Sequence, residues 1–338
     1  MPTIKDIAAA CGVSIATVSK ALNGHDDVAE KTKNLVKTAA REMGYTPNSQ
    51  AQALKTNKTY NIGVLFSDNA GRGLTHTYFS QVLDGFKVYV EKYGYDVTFI
   101  GSRFGNRRLT YLEHAKCRNF DGICIVCVDS FEEPMIKELS LGGYPIVTID
   151  YAYPGFPAVL SDNKAGMKAL VTYAHSMGHK KIAYIYGDKS DVTSERVASY
   201  LETLETLGIE VNPLYLVEGL YIQTDVTEAL TTRLLNLADP PTCIIMPDDF
   251  AAMGGINAVQ KMGLSIPRDI SIIGYDGVKL AEVIRPPLTT FRQDASKIGQ
   301  EAAKRLISDI KKEPHDNKRV LTVSGEMIFG ESVGAIEV

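Results

Sequence analysis

From Asn61 onward the chain alternates short, unbroken apolar runs with amphipathic helical stretches. Residues 62–66 read as a strand and 78–93 as a helix; 96–100 as a strand and 109–118 as a helix. Residues 122–128 and 146–149 continue as strands around a helix at 133–141. A strand that is apolar at every position must be covered on both faces, and the intervening helices supply that cover. The pattern therefore demands parallel sheets of an α/β fold.

The same pattern then restarts. Residues 164–177 read as a helix, 182–186 as a strand and 194–206 as a helix. Leu207-Gly208-Ile209-Glu210-Val211 echoes Tyr93-Gly94-Tyr95-Asp96-Val97, and the strand ending in Pro247-Asp248-Asp249 echoes the one ending in Val128-Asp129. Two similar half-chains imply two doubly wound lobes. Ligands in such sheets bind beyond the carboxyl ends of the strands, and two facing lobes make a cleft that can hinge.

The first sixty residues differ. They hold eight Lys and Arg against five Asp and Glu, whereas the other 278 hold 28 against 35. A small basic module thus precedes a larger acidic one, as expected of a chain with one DNA-facing end. Thr3 can cap a short helix, with Asp6 three residues on, and Gly12 stops it. Ser14 caps a second helix over 15–22, and Asn23-Gly24 stops that one. Two short helices around a glycine turn read as a helix-turn-helix. A third helix, about 30–43, places Leu35, Val36, Ala39, Ala40 and Met43 on one face as the core the pair lacks.

Other features exclude alternatives. Of the 338 residues 45% are apolar and 22% charged, ordinary globular values. No stretch of 18 apolar residues occurs, and Met1-Pro2-Thr3-Ile4-Lys5-Asp6 lacks the basic-then-apolar start of a signal peptide, so a cytoplasmic protein is expected, with no membrane partner. Five cysteines do not make a disulfide framework. Cys124 and Cys127 have CxxC spacing inside a strand, where they point to opposite faces. No HExxH, phosphate loop or Ser-His-Asp elbow is present, so neither catalytic residue, metal nor cofactor is expected.

The strings Ile4-Lys5-Asp6-Ile7-Ala8, Gly12-Val13-Ser14, Ala16-Thr17-Val18-Ser19-Lys20-Ala21-Leu22-Asn23 and Gly44-Tyr45-Thr46-Pro47-Asn48 closely resemble the headpiece of the LacI/GalR (lactose-repressor/galactose-repressor) family of transcriptional regulators. The resemblance runs over essentially the whole chain. It implies a helix-turn-helix headpiece at 1–46, a hinge at 47–60 and a periplasmic-binding-protein-like core at 61–338. Lobe 1 would take about 61–160 and 292–322, and lobe 2 about 161–291 and 323–338. It implies that Ile15, Ala16 and Lys20 read bases, Lys20 standing where arginine is commoner, and that Thr3, Ser14, Thr17, Ser19 and Asn23 contact DNA around them. Ala29 stands where the family has a capping Ser or Thr, so Asp27 or the Ala29 backbone must serve. Asn48, Ala51 and Leu54 match a hinge whose leucine wedges into the minor groove.

In the core, Asp150, Asp248 and Asp276 follow strands, where each either caps the next helix or faces the cleft. Asp249 and the run Ser161-Asp162-Asn163 look like caps. Arg196 falls in the first turn of its helix, beside the positive end of the dipole, which points to an anionic or hydroxylated partner. The resemblance makes Arg196 the effector clamp, with Ser199 replacing the family's glycine, and adds Asp150, Asp276, the stacking Tyr221 and the pair Tyr78 and Phe79. Asp248 takes the place of a usual asparagine. These groups suit a carbohydrate or polyol effector, although nucleobase effectors also occur in the family. The expectation is an effector-responsive repressor, a homodimer or tetramer on a palindromic double-stranded DNA operator. The competing reading is a sugar-binding or sugar-metabolising α/β protein with a helical cap.

Overall fold

The structure is a computed structural model that describes residues 2–46, 58–66, 73–126, 133–314 and 319–336. The chain forms two units, Met1–Thr59 and Tyr60–Val338. Asn48, Ala51 and Leu54 of the expected hinge lie outside the described residues.

The first unit has three helices: α1 (Ile4–Cys11), α2 (Ile15–Leu22) and α3 (Glu30–Glu42). Gly12 ends α1 at φ +64°, a left-handed conformation that glycine adopts without strain. Ile7, Ala8, Val18, Ala21, Val28, Val36 and Ala40 form one small core. Leu35, expected in that core, is 51% exposed. Lys33 takes a buried place instead, its stem packed inward while its ammonium reaches Glu30 at 2.8 Å. The face of α3 is therefore rotated toward Lys33, Val36 and Ala40. No side chain caps α3; the Ala29 carbonyl accepts from the Thr32 and Lys33 amides at 2.9 and 3.0 Å.

The second unit begins with β1 (Asn61–Phe66), α4 (Thr77–Glu91), β2 (Asp96–Phe99) and a small hairpin, β3 (Arg103–Phe104) and β4 (Arg107–Arg108). Then come α5 (Tyr111–Arg118), β5 (Gly122–Val126), α6 (Pro134–Ser140), β6 (Ile146–Ile149) and β7 (Ala158–Ser161). The next stretch holds α7 (Asn163–Ser176), β8 (Ile182–Tyr186), α8 (Asp191–Thr206), β9 (Leu216–Glu218) and α9 (Thr224–Leu235). It continues with β10 (Cys243–Ile245), α10 (Asp249–Lys261), β11 (Ser271–Asp276), α11 (Lys279–Val283) and β12 (Thr289–Arg292). Last come α12 (Ala295–Lys311), β13 (Val320–Val323) and β14 (Glu326–Ile328).

Two six-stranded sheets result, in the orders β13-β7-β6-β5-β1-β2 and β14-β12-β11-β10-β8-β9. Each is covered on both faces. In β5, Cys124 and Val126 pack toward α4 and α12, while Ile123 and Ile125 pack toward α5 and α6. In β8, Ile182 and Tyr184 face one cluster and Ala183 and Ile185 the other. This alternation follows from the period-two geometry of a strand.

The first sheet is wholly parallel. The second departs from the expected all-parallel arrangement, because β14 pairs antiparallel with β12. The reason is topological. The chain leaves β13 and enters the other sheet after only two residues, with no crossover helix to reverse it, so it must run against its neighbours. At that crossing Gly325 is obligatory: a Cβ there would lie 2.3 Å from the Arg292 carbonyl oxygen.

Candidate effector cleft and DNA-reading face

The candidate cleft lies where the carboxyl ends of the central strands of both sheets meet. Asp150 follows β6 and Asp276 ends β11, and both take positive φ, +62° and +96°. Such backbone costs of order 1–3 kcal/mol and persists where the surroundings impose it, commonly at ligand sites. Neither carboxylate caps a helix. Asp150 Oδ1 accepts from the Tyr78 hydroxyl at 2.9 Å, and Asp276 Oδ1 accepts from Gln293 Nε2 at 2.7 Å. Burial pushes the Asp150 carboxyl up to about 6. The Tyr78 hydrogen bond and the charge of Arg196 pull it down, and Asp276 raises it.

Arg196 is 3% exposed and sits in the second turn of α8, not the first, because the helix begins earlier than expected. Ser190 caps it, accepting from the Thr193 amide. The dipole argument for Arg196 thus falls away, and the contacts replace it. Its Nε donates to Asn163 Oδ1 at 2.9 Å, and its guanidinium lies over the Tyr275 ring, 3.6 Å from the centroid. This stacking fixes the plane of the fork without occupying all its donors. Asn163, read from sequence as part of a cap, is therefore a support for Arg196; Asp162 is the cap, accepting from the Ala165 amide at 3.0 Å.

Of the two adjacent carboxylates, Asp248 and not Asp249 is the cap. Asp248 is the N-cap of α10, accepting from the Ala251 amide at 2.8 Å and, through its other oxygen, from the Ile222 amide at 2.7 Å. With both oxygens engaged and 1% exposure, its carboxylate caps the helix and holds the backbone beside Tyr221. Burial, reinforced by Asp276, raises its carboxyl to about 7. Asp249 does not cap the helix. It is buried inside the lobe and accepts from Thr290 Oγ1 at 2.6 Å and the Val278 amide at 2.8 Å.

Aromatic groups flank these polar ones. The Tyr221 ring lies against the Gly187 backbone, so close that a Cβ on Gly187 would come within 2.2 Å of it. Its hydroxyl is 2.8 Å from Thr193 Oγ1. On the first lobe, Phe79 meets Phe66, His76 and Tyr78 edge-on, with centroids 5.5, 5.0 and 5.1 Å away. Gln293, Asn163, Thr193 and Tyr275 touch the expected site residues Asp276, Arg196 and Tyr221 without having been expected there themselves. The available signal for Gln293 was its place just beyond a strand end, the same signal that marked Asp150 and Asp276. Among the described residues no group of His, Cys, Asp and Glu is placed to hold a metal.

In the first unit, Ser14 caps α2, its Oγ accepting from the Thr17 amide at 3.1 Å and lying 2.9 Å from the Thr17 hydroxyl. Thr3 pairs with Asp6, its amide and hydroxyl donating at 2.7 and 2.8 Å. Asn23 Nδ2 donates to the Ser19 carbonyl at 2.7 Å. Val18 and Ala21 turn inward, which leaves Ile15, Ala16 and Lys20 outward on α2, Ile15 at 45% exposure. This outward face is the one to which the family resemblance assigns base reading.

No helix among the described residues is long and apolar enough to cross a membrane. A family model described as bacterial regulatory proteins, lacI family, matches residues 3–48. A second, the periplasmic binding protein-like domain, matches residues 171–333. The HTH-type transcriptional repressor PurR of Vibrio vulnificus (strain CMCP6) is 32% identical over 343 residues, covering 99% of this chain and 100% of that protein. The lac repressor dimer bound to operator and the anti-inducer ONPF is similar at a TM-score of 0.86, 25% identical over 99% of each chain. A LacI family regulator from Enterococcus faecium with bound ribose gives a TM-score of 0.71 and 26% identity, over 82% of this chain and 100% of that one. The chain belongs to the LacI family of bacterial regulatory proteins, and the relatives it matches are DNA-binding transcriptional repressors rather than enzymes.

Proposed function

We propose that this protein is an effector-responsive repressor that binds an approximately palindromic operator as a homodimer. One headpiece reads each half-site. Effector in the cleft shifts the two lobes and so alters the spacing of the paired hinges. Cytoplasmic action follows from this role.

We read the effector as a carbohydrate or related polyol. The observation that carries this is the trio Asp150, Arg196 and Asp276: two strand-end carboxylates held at positive φ, and one guanidinium stacked on Tyr275 whose charge acts on Asp150. Carboxylates accept from ring hydroxyls, the fork donates to them, and Tyr221 covers an apolar ring face. The relative from Enterococcus faecium holds ribose, which supports the same class. A nucleobase is the second reading, favoured by the edge-on cluster of Phe66, His76, Tyr78 and Phe79, which could cover a flat ring.

A thermal-shift screen of sugars and nucleobases on the full chain separates the two. A cleft ligand raises the melting temperature with concentration, and Arg196→Leu removes that rise. A sugar that stabilises the wild type but is turned over to product would favour the enzyme reading instead. Binding to duplex DNA must also weaken steeply as salt rises.

A further inference from the structure

Lys20 stands in the last turn of α2, one turn after Ala16 on the same outward face. Just beyond it the chain folds back. Gly24 takes φ +75°. Its amide donates to the Ala21 carbonyl at 3.3 Å, and the His25 amide donates to the Lys20 carbonyl at 3.1 Å. The Val28 amide donates to the His25 carbonyl at 3.4 Å, and the Val28 side chain is buried in the headpiece core. Asp27 is therefore anchored on both sides, and its carboxylate is brought onto the Lys20 ammonium. The contact holds Asp27 below the usual carboxylate range.

This ion pair is odd where it stands. Both side chains are about half exposed, 48% and 55%, and such pairs contribute at most about 1 kcal/mol to stability. A carboxylate on a DNA-facing surface also opposes the phosphates and lowers affinity for every sequence. Stability and affinity thus give little reason for Asp27 to reach Lys20, whereas selectivity does.

We propose that Asp27 is a specificity-determining positioning residue for operator recognition, which holds Lys20 and narrows the base pairs it accepts. The proposal rests on α2 being the DNA-reading helix. A free lysine is a flexible point charge with three donors, and it satisfies any major-groove acceptor: guanine O6 or N7, adenine N7, or thymine O4. With one donor committed to Asp27, two remain and their direction is set. The held ammonium therefore satisfies only an acceptor that lies along that direction, whereas a free lysine reaches any acceptor nearby.

The test uses the full chain and a randomised duplex library, with the bound fraction sequenced, for wild type, Asp27→Asn, Lys20→Ala and the double variant. The wild type is expected to enrich a palindromic motif. Asp27→Asn should lose discrimination at one base-pair position of each half-site, roughly tenfold, while the other positions stay as they were. The double variant should match Lys20→Ala, because Asp27 acts through Lys20. If Asp27→Asn enriches the wild-type motif and merely binds all duplexes more tightly, Asp27 is only a surface charge and the proposal fails. If the wild type enriches no palindrome, the reading of α2 fails first and takes the proposal with it.

Discussion

Tyr78→Phe removes one oxygen, the hydroxyl that donates to Asp150 Oδ1 at 2.9 Å. In the wild type that bond opposes burial and helps keep Asp150 at about 6. A hydrogen bond to a charged group contributes about 1.5–3 kcal/mol, and one pKa unit corresponds to about 1.4 kcal/mol. The substitution should therefore raise Asp150 by roughly one to two units, to between pH 7 and 8. The stability consequence has a definite sign. Asp150 is raised from an ordinary 3.8 to about 6, so the folded protein binds the extra proton between those values. The stability present below pH 4 falls as pH rises through 6, by roughly 3 kcal/mol for this group. In Tyr78→Phe the fall continues to pH 7 or 8. Urea unfolding should show the variant near wild type at pH 5 and about 1.5–3 kcal/mol less stable at pH 8.5. Effector affinity, which needs the ionised acceptor, should weaken below about pH 6 in the wild type and roughly a unit or more higher in the variant. The same destabilisation at pH 5 and pH 8.5 would refute the reasoning, because it would show that the hydroxyl packs without acting on the charge of Asp150.

Three other perturbations bear on the account. Gly187→Ala places a Cβ 2.2 Å from the Tyr221 ring and should lift it from Thr193, weakening effector binding about three- to tenfold by calorimetry with DNA affinity in the absence of effector unchanged. Asp249→Asn should cost less than about 1 kcal/mol, since the Thr290 hydroxyl can turn to accept, whereas Asp249→Leu leaves the Val278 amide and Thr290 hydroxyl unpaired and should cost about 2–5 kcal/mol in urea unfolding. Ser14→Ala removes the cap of α2 and should cost the headpiece about 1 kcal/mol, read as a lower headpiece melting temperature by circular dichroism and weaker DNA binding in anisotropy titrations.

The core strands were legible because a strand buried on both faces has no polar position. Ile146–Ile149 and Ile182–Tyr186 fall where the apolar runs place them. Helix starts were less legible. Residues 191–193 hold one apolar side chain, Val192, too few to mark a helical face, and only the Ser190 cap shows that α8 begins there; this moved Arg196 out of the first turn. Leu35 misled for a related reason: on a short helix a lysine stem can fill the inward position as well as leucine does. At Asp248 and Asp249 two adjacent carboxylates compete for one cap, and the backbone direction that decides between them depends on β11 and β12, far away in sequence. Gln293 became visible only when the crossing that follows β12 brought it to Asp276. The Lys20–Asp27 pair depends on the turn after Gly24, which residue types alone do not specify.

The central claim is that the cleft and the headpieces are coupled through one dimer. The most direct measurement is a thermodynamic box on the full-length chain. Operator affinity is measured with and without the ligand that the screen yields, and ligand affinity with and without operator. The account predicts that both change by the same factor, as linkage between two sites requires, and that Arg196→Leu abolishes the change while operator binding by the unliganded protein persists. Operator affinity that is indifferent to saturating cleft ligand would contradict it.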